Sequence, residues 1–341
     1  MPLDKANPFL FSNILHPSDV GLILSYQCQS QCAHCIYNCG PAWKDWMEPQ
    51  QVEQALGQMA ARQPAPQVHI SGGEAFLNYP LLLHAVCTAS KLGLACYLET
   101  NAGWSVNDEV VERRFAELKD AGLLAVLISI SPFHAVSIPP KRTLLAIRCA
   151  VEVFGVQRVL AYQAQYLDEI TRWGVEQPVP LEAYAAQHGV RRAGRLFWQD
   201  YGLIAGGRAG YRLGDYISTQ PAAAFEGLRC RAELLAAPHS HFDLYGNFLP
   251  GFCGGLSLGD WHNLPALVER YLHNDYPPLI AMLIEGGPFA LFKLAQREAG
   301  YVEREEGYAG KCHLCVDVRR SLLKSGGYAE LQPAQFYERL E

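Results

Sequence analysis

Roughly the first 200 residues alternate between short apolar runs of strand length and longer segments with apolar positions at helical spacing. Parallel strands need crossover connections and bury both faces, so this order predicts a parallel sheet covered by helices. We therefore predict an α/β fold with a partial (βα)6 barrel resembling a TIM barrel. The predicted strands lie at 21–25, 68–71, 94–99, 124–130, 157–163 and within 195–203, and the predicted helices at 48–61, 79–92, 107–120 and 143–154.

After Gly206-Gly207 the pattern changes to that of a smaller module. Residues 241–249 have an alternating pattern typical of strands on either side of a Gly246-Asn247 turn. This pattern predicts a β-hairpin. Helical segments are predicted at 264–273 and 278–299. We predict an N-terminal extension at 1–17, a core domain at 18–215, an α+β module at 216–325 and a C-terminal tail at 326–341.

Polar or glycine-rich residues follow four of the predicted strands. They lie at 27–35, 71–74, 100–103 and 131–134. In folds of this kind, the loops at the carboxyl ends of the strands carry the chemistry. We expect these four loops to face one site.

Half of the 341 residues are hydrophobic and 18% are charged, which excludes a disordered or collagen-like chain. The 28 basic and 34 acidic residues give a net charge of −6 without a basic or acidic block, which argues against nucleic acid as a partner. The N-terminus lacks the apolar region of a secretory signal, and no apolar stretch approaches the roughly 18 residues that cross a bilayer. We expect a cytoplasmic protein that does not enter a membrane.

The chain has 11 cysteines, and an odd number cannot all pair within one chain. In a reducing compartment, clustered cysteines indicate metal ligands or redox groups. Cys28, Cys32 and Cys35 follow the first predicted strand with the spacing C-x3-C-x2-C. Three thiolates on one tight loop can hold three irons of a [4Fe–4S] cluster and leave the fourth iron open to a substrate or cofactor. The alternative is a zinc site completed by His34 or Cys39.

Ser71-Gly72-Gly73-Glu74 ends the second predicted strand, one helix-length crossover after the cysteine loop. Two glycines let backbone groups approach a ligand closely, and a carboxylate can hold an ammonium group. The cysteine loop and this Gly-Gly-Glu sequence, taken together, resemble the radical S-adenosylmethionine (radical SAM) superfamily. Ala75 stands where the family usually has a proline.

The resemblance implies a cofactor and a reaction. In the family, the open iron binds the amino and carboxylate groups of the methionine part of SAM, and an electron from the reduced cluster breaks the sulfonium C–S bond. The resulting 5′-deoxyadenosyl radical abstracts a hydrogen atom from the substrate. Flavodoxin or ferredoxin is the kind of protein that supplies the electron.

The resemblance also implies residues that contact SAM or the substrate. Ser129 and Ser131 share a strand face and are candidate contacts for SAM. The alternative is that they are ordinary small polar residues that fill space in the barrel. His134 is a candidate proton donor or substrate contact. The alternative is that it is an exposed loop histidine without a function. Arg208, in a Gly-Arg-Ala sequence like that of relatives with a C-terminal cluster domain, binds a carboxylate or caps the barrel. The SAM-binding candidates are Gly72, Gly73, Glu74, Thr100, Asn101, Ser129, Ser131 and Arg208.

A second set of cysteines lies in the C-terminal module. Its members are Cys230, Cys253, Cys312 and Cys315. Their number and positions resemble the auxiliary-cluster "twitch" domain, a shortened relative of the SPASM domain, which implies a second [4Fe–4S] cluster. Structural zinc is the alternative. His239, His241 and His313 lie near these cysteines in the sequence and are possible substitute ligands, and Cys39, Cys87, Cys96 and Cys149 remain without an assigned role.

We therefore expect an oxygen-sensitive radical SAM enzyme whose reaction type the motifs leave open. Only about 20 residues precede the first predicted strand, so we expect no fused peptide-recognition domain. This favours a small-molecule substrate, and a peptide presented by a separate protein stays open. The competing hypothesis is an iron–sulfur electron carrier or scaffold that does not cleave SAM, but such a protein has no need of the Gly-Gly-Glu loop.

Overall fold

The computed structural model describes residues 17–340, so the predicted extension at 1–17 lies almost entirely outside the described residues. Its sheet has the strands β1 (Asp19–Ile23), β2 (Gln67–Ser71), β3 (Cys96–Thr100), β4 (Ala125–Ser129), β5 (Val159–Tyr162), β6 (His239–Asp243), β7 (Asn247–Pro250) and β8 (Gly259–Asp260). They are ordered β5-β4-β3-β2-β1-β6-β7-β8. The strands from β5 to β6 are all parallel, and the sheet does not close. The prediction of an α/β fold with a partial, unclosed barrel of parallel strands is confirmed.

Helices connect and cover the strands. Within the described residues they are α1 (Pro49–Ala60), α2 (Tyr79–Lys91), α3 (Asp108–Asp120), α4 (Pro132–Ala135), α5 (Pro140–Phe154), α6 (Ala164–Trp173), α7 (Leu181–His188), α8 (Val190–Arg195), α9 (Ala209–Arg212), α10 (Leu264–Leu272), α11 (Pro278–Glu285), α12 (Gly287–Glu298), α13 (Lys311–Ser325) and α14 (Gln335–Glu338). The four helices predicted in the core domain match α1, α2, α3 and α5 to within a few residues.

Local sequence sets where these helices begin. Before α1, Glu48 and Gln51 form a reciprocal capping box, and Pro49 occupies the first turn, where a missing backbone N–H costs nothing. Asn107 caps α3 by accepting a hydrogen bond from the backbone N of Val110. These caps mark where the loops after β1 and β3 end and the helices begin.

The predicted sixth strand within 195–203 is wrong. This segment continues α8 into a π-helical turn at Leu196–Asp200. Ala193, Phe197 and Tyr201 are all buried, and their spacing of four residues places them on one helical face rather than on alternate faces of a strand. The sixth parallel strand is β6, which comes from the predicted C-terminal module. It pairs with β1, at the opposite end of the parallel part of the sheet from β5.

The predicted hairpin is confirmed, since β6 and β7 are antiparallel with Phe242 opposite Phe248. Gly246 supplies the positive φ of 89° that the turn needs. The predicted helix at 278–299 divides into α11 and α12. Gly287 at the division has a φ of 68° and lies so close to the carbonyl of Leu228 that a side chain there would overlap it.

Part of the core lies on one face of the parallel strands, where register partners from neighbouring strands pack side by side. Leu22, Ile70, Leu98 and Val126 come from four neighbouring strands and are at most 1% exposed. Full burial of each such side chain contributes about 1.5–3 kcal/mol. No helix within residues 17–340 is both long and apolar enough to cross a membrane.

Candidate functional site

The loops after β1, β2, β3 and β4 line one cavity of about 410 Å³. The expected convergence of these four loops is therefore seen in the structure. Glu74 is the one residue of the predicted first site that does not line the cavity. The predicted residues that line it are Cys28, Cys32, Cys35, Gly72, Gly73, Thr100, Asn101, Ser129, Ser131, His134 and Arg208.

The cysteine loop is closed on itself by backbone hydrogen bonds. Cys28 N donates to Gly40 O over 3.1 Å, and Cys35 N donates to Cys32 O over the same distance. N–H groups also point at two of the sulfurs: Asn101 Nδ2 lies 3.3 Å from Cys28 Sγ, and Cys39 N lies 3.4 Å from Cys35 Sγ. Such donors stabilise negative charge on sulfur.

Burial sets the acidity of these thiols. It raises the pKa of Cys28, and it raises the pKa of Cys32 to about 12. A hydrogen bond from the Cys39 thiol lowers the pKa of Cys35 to about 5. All three cysteines are free of disulfides. Buried thiols of this kind ionise when a metal supplies positive charge, so the donor set fits a metal centre.

The Gly-Gly-Glu segment supports the entry to the cysteine loop. Gly73 N donates to Ser25 O over 2.8 Å, and Glu74 N donates to Gln27 O over 2.9 Å. Gly72 has a φ of 116°, and a side chain on Gly72 or Gly73 would overlap the carbonyls of Ser25 or Gln27. Glycine is required here because two backbone segments touch. The absence of a side chain also lets a ligand approach this backbone from the cavity.

The Glu74 carboxylate is turned away from the cavity and is 1% exposed. It accepts hydrogen bonds from Thr100 Oγ1 over 2.8 Å, from Asn101 N over 2.9 Å and from Phe76 N over 3.2 Å. Burial raises its pKa to about 7 despite these donors. Glu74 thus joins the end of β2 to the end of β3, where Asn101 reaches Cys28.

Arg208 is also directed at the cysteine loop. Its guanidinium, 3% exposed, donates to Cys32 O over 3.1 Å, to Asn38 Oδ1 over 3.0 Å and to Cys39 O over 2.6 Å. Gly207 before it has a φ of 56° and lies against Cys35 O. Of the two roles considered for Arg208, a brace at the end of the barrel is the one that these contacts support.

Ser131 and His134 form a hydrogen-bonded pair at the cavity wall. Ser131 Oγ caps α4 and lies 2.7 Å from His134 Nδ1. Burial lowers the pKa of His134 to about 4, so the imidazole is neutral near pH 7. His34 lies edge-on to His134 and stacks on Phe133. His134 is half-buried, not the exposed loop histidine of the alternative interpretation.

The four C-terminal cysteines come together from three separate segments. Cys312 and Cys315 lie in the first turns of α13, Cys253 follows β7, and Cys230 precedes a π-helical turn at Ala232–Ala236. Burial and the neighbouring Cys312 thiol raise the pKa of Cys253 to about 12, and burial and Cys315 raise the pKa of Cys312 to about 11. Burial and Cys315 also raise the pKa of Cys230.

Sequence reasoning missed several residues that line the cavity. Glu99 reaches it from β3, and His239 and His241 reach it from β6. The signal was present, because residues two apart on a strand share a face, and His239 and His241 have that spacing. Their prediction as substitutes for the C-terminal cysteines overlooked that β6 belongs to the main sheet.

Comparison with known proteins agrees with the motifs. Residues 22–135 match the family model of the radical SAM superfamily. The putative peptide biosynthesis protein YydG of Bacillus subtilis (strain 168) is 22% identical over 121 residues, which are 36% of this chain and 38% of that protein. The chain thus spans less than two fifths of the length of this curated relative.

Solved structures share weak overall similarity with the chain. BtrN in complex with AdoMet and 2-DOIA is 14% identical, with 80% of this chain and 88% of that chain covered and a TM-score of 0.44. Streptococcus suis SuiB bound to S-adenosylmethionine is 12% identical, with 78% and 67% covered and a TM-score of 0.35. The cysteine loop, the Gly-Gly-Glu segment and the Ser131–His134 pair all lie within residues 22–135, the segment that matches the family model of the radical SAM superfamily.

Proposed function

We propose that this chain cleaves SAM reductively at a [4Fe–4S] cluster held by Cys28, Cys32 and Cys35 and uses the resulting radical to abstract hydrogen from a substrate in the cavity. The single observation that carries the proposal is the placement of three free thiols of one loop, one buried and two half-buried, at a cavity that the loops after β2, β3 and β4 also line. When bound, the cluster supplies the electron that breaks the C–S bond of SAM.

The protein's own residues hold the two partners in place. The hydroxyls of Ser129 and Ser131 and the backbone of Gly72-Gly73 line the cavity and are the proposed contacts for SAM, together with Thr100 and Asn101. Glu74 and Arg208 act indirectly, because their side chains are occupied by the loops that carry those contacts. His134 is the proposed group that donates a proton to the substrate or accepts one from it. Its imidazole is neutral and is hydrogen-bonded to Ser131.

We propose a second [4Fe–4S] cluster at Cys230, Cys253, Cys312 and Cys315. The segment that precedes Arg208 connects the two cysteine sets, since Gly206 lies beside Cys312 and Gly207 beside Cys35. Four thiolate ligands leave no iron open, so this cluster serves electron transfer or structure. The functional division is then a core at 18–215 and an auxiliary module at 216–325. Eleven cysteines without a disulfide among them fit a reducing, cytoplasmic setting with flavodoxin or ferredoxin as reductant.

A peptide is the proposed substrate class. The curated relative is described as a peptide biosynthesis protein. In this chain, β5 is an edge strand with Leu160 56% exposed and Tyr162 49% exposed, and Tyr162 and Gln163 continue into the cavity. An extended peptide can pair with such an edge through its backbone and present one side chain to the cavity. A small molecule bound in the cavity alone is the second candidate.

The test is anaerobic reconstitution followed by reduction with dithionite in the presence of SAM. We expect about eight irons per chain and formation of 5′-deoxyadenosine. Replacement of Cys28, Cys32 and Cys35 by alanine should remove about half of the iron and all 5′-deoxyadenosine. Cys87→Ala, on α2 and outside both sets, is the matched control. A fully loaded protein that forms no 5′-deoxyadenosine would be an electron carrier or scaffold, and zinc in place of iron at the loop would exclude the enzyme.

A further inference from the structure

Three histidines form a cluster around the middle of β1, and two of them line the cavity. His69 comes from β2 and His239 and His241 from β6, and one nitrogen from each ring lies within 4.8 Å of the others. His69 is 0% exposed and His241 is 3% exposed. Gly21 of β1 pairs with both His69 and His241, and a side chain on Gly21 would lie 2.5 Å from His69 Nε2. Glycine at this central strand position makes room for the two rings.

Hydrogen bonds to Asp19 fix one nitrogen of two of these rings. His69 Nδ1 lies 3.0 Å from Asp19 Oδ1, and His239 Nδ1 lies 3.0 Å from Asp19 Oδ2. A carboxylate accepts hydrogen bonds, so both Nδ1 atoms carry hydrogen. Tyr97 donates to Asp19 Oδ2 as well, over 3.0 Å. In the neutral form of each ring, the Nε2 atom is then left as an electron-pair donor.

The third ring has the same tautomer. His241 Nδ1 lies 2.8 Å from the Tyr37 hydroxyl, which in turn lies 2.6 Å from Gly251 O. A hydroxyl has a single hydrogen, and the carbonyl of Gly251 can only accept, so the hydroxyl donates to Gly251 and accepts from His241 Nδ1. His241 Nε2 is therefore also an electron-pair donor.

Two of these electron pairs face each other in a buried place. His69 Nε2 and His241 Nε2 are 3.3 Å apart. Two lone pairs at this distance repel unless a cation lies between them. A tetrahedral zinc ion with Zn–N bonds of 2.0–2.1 Å holds its nitrogens about 3.3–3.4 Å apart, which matches the observed separation. Carboxylate or other hydrogen bonds at Nδ1 are also what orients metal-binding histidines.

We propose that His69, His239 and His241 bind a divalent transition metal ion, with Zn²⁺ as the first candidate, separate from both cysteine sets. Asp19 and Tyr37 orient the ligands. His239 and His241 line the cavity, so the remaining coordination position opens toward it and can take water or an oxygen or nitrogen atom of the substrate. This proposal does not depend on SAM cleavage, because no residue of the histidine cluster belongs to either cysteine set.

The direct test is the anomalous X-ray signal of zinc in crystals of the full chain. The protein is purified and reconstituted anaerobically so that the cysteines are occupied by iron, then given one equivalent of zinc sulfate. We expect an anomalous peak at the zinc absorption edge about 2.0–2.1 Å from the Nε2 atoms of His69 and His241. The proposal would be overturned if zinc bound only at the cysteines. It would also be overturned if the histidine cluster held no zinc and His69 and His241 shared only a proton between their Nε2 atoms.

Variants give a second, independent measurement. Zinc should raise the melting temperature of the native protein, because an ion that binds only the folded state stabilises it. We expect His241→Gln to lower the zinc affinity at least tenfold and so to lose this shift. His188→Gln is the matched control, since His188 lies on α7 beside Glu169 and away from the cavity. An equal zinc-induced shift in His241→Gln and His188→Gln would contradict the proposal, and the anomalous signal tests it on the native protein even where a variant does not fold.

Discussion

The Arg208 guanidinium donates a hydrogen bond to the carbonyl oxygen of Cys32 over 3.1 Å, although 176 residues separate the two in sequence. Two further hydrogen bonds from the same group reach Asn38 and Cys39. One buried side chain thus ties the end of the core domain to the loop that carries the candidate cluster ligands. This contact makes the shape of the cysteine loop depend on a residue near the C-terminal end of the core domain.

Replacing this arginine tests that dependence. Arg208→Met should leave the carbonyls of Cys32 and Cys39 without their donor and lower the free energy of unfolding by about 1–3 kcal/mol, because buried acceptors lose their partners. Iron retention at the cysteine loop should fall with it. Denaturant unfolding of the cluster-free protein and iron analysis after reconstitution measure the two effects. Arg113→Met, at a position 59% exposed on α3, is the control, and equal losses in the two variants would contradict the role given to Arg208.

Much of this arrangement is predictable from the sequence, and particular residues show where prediction stops. The loops at 27–35, 71–74, 100–103 and 131–134 converge as predicted, because parallel strands bring their carboxyl ends to one edge. The strand predicted within 195–203 failed, because the apolar residues Ala193, Phe197 and Tyr201 repeat every four residues and belong to a helical segment.

The candidate site shows the same division. Cys28 and Gly72 follow strands and are recognisable by spacing, whereas the partners of Arg208 and Glu74 depend on tertiary contacts that local sequence does not encode. His69 and His241 become neighbours only because β2 and β6 both pair with β1 in the same register. The two histidines are 172 residues apart, so no local sequence signal indicates that they are neighbours.

Asn101 offers a test of the first cluster through its electronic properties. Its Nδ2 lies 3.3 Å from Cys28 Sγ. A hydrogen bond to a ligand sulfur stabilises the reduced, more negative cluster. If the bond contributes about 1 kcal/mol to this difference, Asn101→Ala should lower the midpoint potential of the reconstituted cluster by about 40 mV. A redox titration followed by EPR measures this shift. Asn263→Ala, an exposed position before α10, should leave the potential unchanged; the same potential in both variants would show that Asn101 does not contact a cluster ligand.

Glu74 should give the folded protein a specific dependence on pH. Burial raises its pKa from 4.5 to about 7. Between these two values the folded protein holds a proton that the unfolded chain has released, so the free energy of unfolding falls as the pH rises. Relative to Glu74→Gln, the native protein should lose about 3 kcal/mol across this range.

Denaturant unfolding of the cluster-free proteins across that pH range measures this difference. Glu226→Gln, at an exposed position, is the control, and its stability should follow that of the native protein. If the free energy of unfolding depends on pH in the same way for the native protein and Glu74→Gln, the Glu74 carboxylate is ionised throughout this range. The three hydrogen bonds that it accepts would then lower its pKa by more than burial raises it.

Gly21 tests the packing of the histidine cluster independently of any metal. A methyl group at this position would overlap His241 Cδ2 and lie 2.5 Å from His69 Nε2. Gly21→Ala should therefore destabilise the metal-free protein by about 1–3 kcal/mol, the usual cost of overpacking. Gly57→Ala is the matched control, because Gly57 lies in α1 with no atom near a new methyl group and should gain up to about 1 kcal/mol in helix propensity. If both Gly21→Ala and Gly57→Ala stabilised the protein, the prediction would be wrong. The strands β1, β2 and β6 would then move apart at the histidine cluster at little cost in free energy.

The two cysteine sets should be separable in function. Cys312 and Cys315 lie on α13, whereas Cys28, Cys32 and Cys35 lie on the loop after β1. Under the proposed function, reductive cleavage of SAM by dithionite requires only the set on the loop. Replacing Cys312 and Cys315 by serine should reduce the iron content from about eight to about four per chain. We expect the variant to form 5′-deoxyadenosine from SAM while failing to complete turnover with its substrate, because an electron that passes through the auxiliary module has no carrier. Iron analysis and chromatography of the SAM products measure both effects in one sample. Unchanged iron together with one equivalent of zinc lost from the variant would assign the C-terminal cysteines to a structural zinc site instead, because zinc accepts four thiolates in the same arrangement.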